Sequence, residues 1–223
     1  VAIYDTTLRD GAQGEGVSFS SIGKIMLAKR LDQFGVDYIE GGFPGSNPKD
    51  IEFFKAIRKE ELSHAKIAAF GSTRRVRTRV QDDLNVKSLL AAETPVVTIF
   101  GKTWKLHVKD VLRTSLKENL AMVSDTVAHL KSKGKEVIFD AEHWFDGFKD
   151  DPDFAMQVLL AAEAAGADSL VLCDTNGGCL PHEIFEISET IIAAVHTPVG
   201  IHVHNDIGVA VANTLEGVRA GAT

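Results

Sequence analysis

Two histidines one residue apart, His202 and His204, close an apolar, β-branched stretch near the end of the chain. On a strand, residues two apart share a face, and a rise of about 3.3 Å per residue sets their Cα atoms about 6.6 Å apart. Two imidazoles at that spacing suit either of two roles. One is joint binding of a divalent cation, with nitrogen–metal distances of about 2.0–2.1 Å. The other is a hydrogen-bonded histidine pair in a polar pocket. A carboxylate from a neighbouring strand favours the cation, and Asp10 at the other end of the chain is the candidate third ligand.

Other polar residues gather where apolar runs end. Arg9 precedes Asp10, where it either neutralises that carboxylate or presents a fixed cation to a developing oxyanion, a large catalytic contribution in many sites. Gln13 suits either orienting a substrate oxygen or capping its loop. Asp140 and Glu142 share a face if their strand continues, so one of them is a candidate for proton transfer. The alternative for Glu142 is a loop or helix-capping carboxylate. Thr175 with the Asn176-Gly177-Gly178 amides suits a substrate carboxylate, against the simpler reading of a strand-to-helix turn. Charges this dense at strand ends cost desolvation energy unless they are paired or bound to a metal.

The elements that position these groups alternate about every thirty residues, apolar β-branched runs with amphipathic stretches, the pattern of a parallel α/β sheet. Strands are expected over Val1–Leu8, Val36–Gly41, Ala65–Phe70, Pro95–Phe100, Glu136–Ala141, Ser169–Asp174 and Val199–His204. Asn47-Pro48, Asp151-Pro152 and Leu180-Pro181 open helices; Gly35, Gly134 and Gly166 close them. The segment Gly11–Gly16 lacks the G-x-G-x-x-G order of a doubly wound dinucleotide fold. The expected fold is therefore an α/β TIM (β/α)8 barrel, truncated before its eighth strand, with residues 1–223 as one catalytic domain. In such barrels the C-terminal strand ends carry the chemistry.

Composition narrows the classes. With 24 Lys and Arg against 31 Asp and Glu, the net charge is −7, so a nucleic-acid partner is not expected. No apolar stretch approaches the roughly 18 residues of a membrane span. Two cysteines, Cys173 and Cys179, make no disulfide framework and suit a reducing, cytoplasmic setting. Residue 1 is Val inside a strand pattern, so an upstream N-terminus is expected and a targeting peptide there stays open. Arg74, Arg75, Arg77 and Arg79 suit clamping phosphates, though a solvated loop is the simpler reading. Lys102 is assigned to the loop after the fourth strand, and His107 to the surface.

Asp5-Thr6-Thr7-Leu8-Arg9-Asp10-Gly11-Ala12-Gln13 and His202-Val203-His204-Asn205-Asp206 resemble the two hallmark motifs of the DRE-TIM metallolyases. That family includes isopropylmalate, homocitrate and citramalate synthases and hydroxymethylglutaryl-CoA lyase. The resemblance runs in order along essentially the whole chain. The segments Glu40–Pro48, Phe70–Arg75 and Leu172–Gly178 are similar to the longer, bacterial-type citramalate synthases. The resemblance implies an acyltransferase that condenses acetyl-CoA with a small 2-oxo acid, pyruvate first among them. Asp10, His202 and His204 would bind zinc, manganese or magnesium. Arg9 would polarise the carbonyl, Glu142 would assist proton transfer, Thr175 would hold the acid's carboxylate, and Gln13 would line the acetyl-CoA side. Glu40 would support the same cluster. A homodimer acting on small molecules, with no nucleic-acid or membrane partner, is implied as well. The family's further metal-associated Asn and Gly-rich CoA segment follow the seventh strand, so they are expected beyond Thr223. The related alternatives are an isopropylmalate or homocitrate synthase and a lyase; from another class, an acyl-CoA- or metal-binding module.

Overall fold

The computed structural model describes residues Val1–Thr223. Seven strands occur: β1 (Tyr4–Asp5), β2 (Tyr38–Gly42), β3 (Lys66–Ser72), β4 (Val96–Lys102), β5 (Glu136–Glu142), β6 (Ser169–Asp174) and β7 (Val199–Val203). Eight helices accompany them: α1 (Ser21–Phe34), α2 (Pro48–Ile57), α3 (Leu84–Ala91), α4 (Leu116–Ser132), α5 (Trp144–Asp150), α6 (Pro152–Ala164), α7 (Pro181–Ala194) and α8 (Ala210–Arg219). All six strand pairings are parallel, in chain order from β1 to β7. A doubly wound sheet reverses its strand order; this one does not.

The sheet curls. Flat, six strand spacings of about 4.8 Å would part β1 from β7 by about 29 Å. Instead Asp10, beyond β1, lies 3.5 Å from His202 on β7 and 3.2 Å from His204 just after it. The result is a TIM-type barrel wall of seven strands, the eightfold architecture expected, with β1 and β7 as its unpaired edges.

Alternation along the strands sorts two interiors. Ile39, Ile67, Val97, Ile99, Val137, Phe139, Leu170 and Leu172 face outward and join helix residues in one large core. On the other face Ala68, Val96 and Ile138 pack with Tyr4, Tyr38 and Val171 as a small apolar plug inside the wall. Towards the C-terminal strand ends, the inner positions turn polar: Glu40, Thr98, Asp140 and His202. A parallel sheet covered on both faces normally reads as apolar throughout, so this polar layer marks the functional end.

Local chemistry explains the element bounds. Asn47 and Asp151 accept from Lys49 and Phe154 amides to cap α2 and α6, each followed by proline. Gly35, Gly134 and Gly166 adopt left-handed backbone where helices end. The first strand is far shorter than Val1–Leu8, because the Asp5 carboxylate accepts the Thr7 amide and the Thr6 carbonyl collects the amides of Arg9, Asp10 and Gly11. β4 and β5 each run past their expected ends, so Lys102 is the last residue of a strand and not part of a loop. No helix is long and apolar enough to cross a membrane.

The unexpected helix α5 rests on the chain leaving β4. A Cβ on Gly147 would lie 2.7 Å from the Thr103 carbonyl oxygen and 3.0 Å from the Trp104 Cα. Both are backbone, which cannot rotate aside. Gly147→Ala is therefore expected to destabilise the fold by about 1–3 kcal/mol, the usual cost of overpacking, measured by urea unfolding. A neutral substitution would show that α5 is not packed in this way.

Candidate active site

The turn after β1 delivers Arg9 and Asp10 to the barrel mouth. The Arg9 guanidinium is ion-paired through Nε to Glu40 and through Nη1 to Asp10 at 2.9 Å, and its Cζ lies 3.8 Å above the Phe70 ring. Glu40, on β2, is fully buried and also accepts from the Tyr4 hydroxyl at 2.8 Å. Tyr4 in turn meets Thr98 Oγ1 at 2.6 Å. Arg9 thus has one carboxylate on each side and an aromatic face below, a placement that fixes the orientation of its planar fork.

Asp10 faces the histidine pair. The His204 ring places Nδ1 2.8 Å from the Thr175 carbonyl oxygen, which can only accept. Nδ1 therefore carries the proton, and in a neutral ring the Nε2 lone pair points at the Asp10 carboxylate, 3.2 Å away. Two acceptors at that distance require a positive charge between them: a proton on Nε2 or a shared cation. Bonds from His202 and His204 hold the Asp10 carboxyl well below the usual carboxylate range, and the Asp10 carboxylate raises His204. Candidate ligand atoms of Asp10, His202 and His204 all lie within 4.8 Å of one another. Two imidazoles and a carboxylate, with one ring oriented by a backbone carbonyl, is a donor set that fits a divalent cation.

Deeper in the wall, burial and then the neighbouring Glu40 charge push the Asp140 carboxyl up to about 7. Glu40 has Arg9 and Tyr4 as donors, so Asp140 is the member of this buried pair that keeps its proton. Burial also lifts the Cys173 thiol well above its ordinary range, consistent with a packed, unreactive residue.

Glu142 ends β5 beside Lys102, in register on β4, and the two side chains are ion-paired. Asn119 holds the Lys102 carbonyl at 2.8 Å, and the Lys102 ammonium sits 5.5 Å from the Phe100 ring centre. Thr175 follows β6, and its hydroxyl accepts from the His143 amide at 2.9 Å. That bond leaves the Thr175 O–H free to donate elsewhere. His143 holds left-handed backbone, φ +53°, to present this amide, and its ring lies against His107 and within 3.3 Å of Asp146.

The structure thus brings together Arg9, Asp10, Glu40, His202 and His204 by direct contact, and ties Thr175 to His204. Glu142 is paired with Lys102 and makes no hydrogen bond or ion pair with that cluster. Gln13 does not join: its side chain is exposed on the turn that follows Asp10. The amides of Gly178 and Cys179 are bonded to the Asp174 carboxylate, and that of Gly177 to the Asp174 carbonyl. The Gly177 and Gly178 amides are therefore spent on a strand-to-helix turn and do not form an anion cradle. Arg74 is buried against Glu118 and Asp125, not solvated, and His107 is tucked beneath Trp104 and His143, not on the surface. The pairing of Lys102 with Glu142 and the bond of His143 to Thr175 are absent from the sequence reading; extending the fourth strand's alternation from Phe100 by two residues places Lys102 on the Glu142 face.

The HMGL-like family model matches residues 1–223, and the chain belongs to that family. It is 59% identical, over its whole length, to an (R)-citramalate synthase of Aquifex aeolicus. It is 55% identical over 99% of its length to an (R)-citramalate synthase of Geobacter sulfurreducens. In both cases the chain spans 42% of the relative, about two-fifths of its length. Among solved structures, the HMG-CoA lyase of Bacillus subtilis covers the whole chain with a TM-score of 0.81 at 21% identity, the chain covering 74% of it, which establishes the fold.

Glu40 is the buried acceptor that neutralises Arg9. Removing the acceptor strands a buried guanidinium and the Tyr4 hydroxyl. Breaking a buried pair costs about 3–5 kcal/mol. Glu40→Ala is expected at the lower end, because Asp10 still holds Arg9, and Glu40→Gln at less than half of that. Urea unfolding of the two variants checks the order; equal losses would show that charge pairing at Glu40 contributes little.

Proposed function

We propose that the protein containing this chain is a metal-dependent acyltransferase that condenses acetyl-CoA with pyruvate to give citramalate and CoA. The observation that carries the reading is the facing of Asp10 against His202 and His204, with Arg9 bound to the same carboxylate. The choice of pyruvate rests on the citramalate synthases to which the chain is 59% and 55% identical.

Asp10, His202 and His204 would hold the cation. When bound, it supplies Lewis acidity that polarises the keto oxygen of a 2-oxo acid. Zinc, manganese and magnesium all remain compatible with a mixed imidazole and carboxylate set. Arg9 keeps a desolvated, oriented positive charge facing the oxygen that becomes negative as the carbon–carbon bond forms. Thr175, its lone pair occupied by the His143 amide, donates its hydroxyl proton to the acid's carboxylate. Glu142, held by Lys102, serves proton transfer at the acetyl methyl carbon, whose C–H pair becomes the new bond to C2 of the acid. One water then cleaves the thioester and releases the CoA thiol, so the sum is acetyl-CoA, pyruvate and water to citramalate and CoA. Gln13, free on its turn, lines the acetyl-CoA side.

The test is thiol release from acetyl-CoA by the full-length protein, with a panel of 2-oxo acids, after chelation and metal readdition. Metal-dependent release greatest with pyruvate is expected; a preference for 2-oxoisovalerate or 2-oxoglutarate would make it an isopropylmalate or homocitrate synthase. No release with any acid would overturn the synthase reading and leave cleavage of a hydroxyacyl-CoA, or binding alone. Asp10→Ala is expected to lose metal affinity and turnover together, by 10²-fold or more. Retention of both by that variant would refute the assignment of the site.

A further inference from the structure

Away from the Asp10 cluster, the chain builds a second polar concavity of about 620 Å³, lined by Arg77, Lys109, Arg113, Thr114, Ser115 and Glu118 with no apolar side chain. Arg77 belongs to the loop after β3, and Lys109 and Arg113 to the segment between β4 and α4. Both loops leave the C-terminal end of the sheet, the end that carries Asp10 and the histidines.

The charges in this concavity are unbalanced. Arg77, Lys109 and Arg113 are exposed, and Glu118 is the carboxylate nearest to Arg77 in the lining, where the Arg77 charge helps to lower it. Glu118 supplies the one acidic side chain in the lining, and its Oε1 is engaged by Arg74 Nη1 at 2.8 Å and by the Arg77 amide at 3.2 Å. Asp151, which feels the Lys109 charge, is itself ion-paired to Lys105. Three cations against one carboxylate, itself shared with Arg74, therefore line one concavity in a chain whose net charge is −7, where scattered, paired charges are the expectation. Ser115 caps the 17-residue helix α4 at the edge of the same concavity, and the positive end of that helix adds to the field.

The backbone is strained in the same place. Arg77 (φ +57°) and Arg113 (φ +54°) are two of the four non-glycine residues in left-handed backbone. Arginine has no intrinsic preference for that region, unlike asparagine or glycine, so the surrounding loops impose it on both. Strain of this kind concentrates at ligand clamps.

We propose that Arg77, Lys109 and Arg113 form a binding site for a phosphate-bearing anion. Two guanidinium forks and an ammonium match the tetrahedral oxygens of a phosphomonoester or a pyrophosphate, and a dianion neutralises most of the excess charge. Such a group is carried by coenzyme A, in its 3′-phosphate and its pyrophosphate, and by any separate phosphorylated ligand. The first source rests on the function proposed above; the site itself does not.

The experiment uses the full-length protein and two readouts. Pyrophosphate and adenosine 3′,5′-bisphosphate are titrated calorimetrically at low and high salt. In parallel, KM is measured for acetyl-CoA and for dephospho-acetyl-CoA. The variant Lys109→Gln/Arg113→Asn keeps a residue tolerant of left-handed backbone at 113, and thermal unfolding confirms its fold. At least tenfold weaker anion binding with a salt dependence lost in the variant is expected. If KM then rises for acetyl-CoA and not for the dephospho form, the occupant is the coenzyme's 3′-phosphate; if KM rises equally for both, it is the pyrophosphate. Weakened anion binding with both KM values unchanged assigns the site to a separate phosphorylated ligand. Unchanged anion binding overturns the proposal. Absence of thiol release by the unmodified protein would defeat the functional reading and leave the titration to decide the site.

Discussion

A guanidinium cannot be taken out of water without compensation, and the barrel mouth is organised around that constraint. Arg9 is largely buried, so its charge must be met, and it is met by Glu40 from β2 and Asp10 from its own turn. Each partner then inherits a requirement. Glu40, itself fully buried, recruits the Tyr4 hydroxyl, and Tyr4 reaches across to Thr98 on β4. Asp10 meets His202 and His204. One desolvated cation therefore specifies polar residues on β1, β2, β4 and β7, and a network of this type is favourable only when every member has its partner.

Thr175 is the second point of convergence. Its carbonyl sets the tautomer of His204, and its hydroxyl is set by the His143 amide. A residue without a charge thus couples the ends of β5, β6 and β7. The left-handed backbone at His143 costs conformational energy, and the bond to Thr175 together with the ring contacts to His107 and Asp146 hold it in place. Histidine is among the residue types that tolerate this region best, which is why the strain is affordable at that position.

Much of this was legible in the sequence because charged residues at the ends of apolar strands have few ways to be stable. The His-x-His spacing, the Arg9-Asp10 pair and the βα alternation each follow from strand geometry and desolvation, and the curled seven-stranded wall agrees with them. What was not legible depended on where strands stop. The first strand, expected over Val1–Leu8, is ended after Asp5 by the Asp5 and Thr6 hydrogen bonds. Lys102, expected in a loop, ends β4, which continues through Gly101 beside Phe139. The Asn176-Gly177-Gly178 segment suits either an anion cradle or a plain strand-to-helix turn, and Asp174 folding back onto the amides that follow decides for the turn. Pairing between residues far apart in sequence, as of Lys102 with Glu142 on the neighbouring strand, leaves no local mark in either segment.

The placement of the histidine pair has a consequence for the wall itself. β1 and β7 share no backbone hydrogen bond, so the gap between them is spanned at this level by Asp10 meeting His202 and His204. Without a cation, the Asp10 carboxylate raises His204 and favours a proton on the Nε2 that faces it. Asp10, His202 and His204 would hold a cation in place of that proton, so its binding would release protons and weaken as pH falls. Any ligand that binds the folded state alone stabilises it in proportion to the logarithm of its saturation. Here the effect falls on the Asp10 turn and the end of β7, so the same ion that would serve the chemistry would also tie together the two segments that flank Arg9.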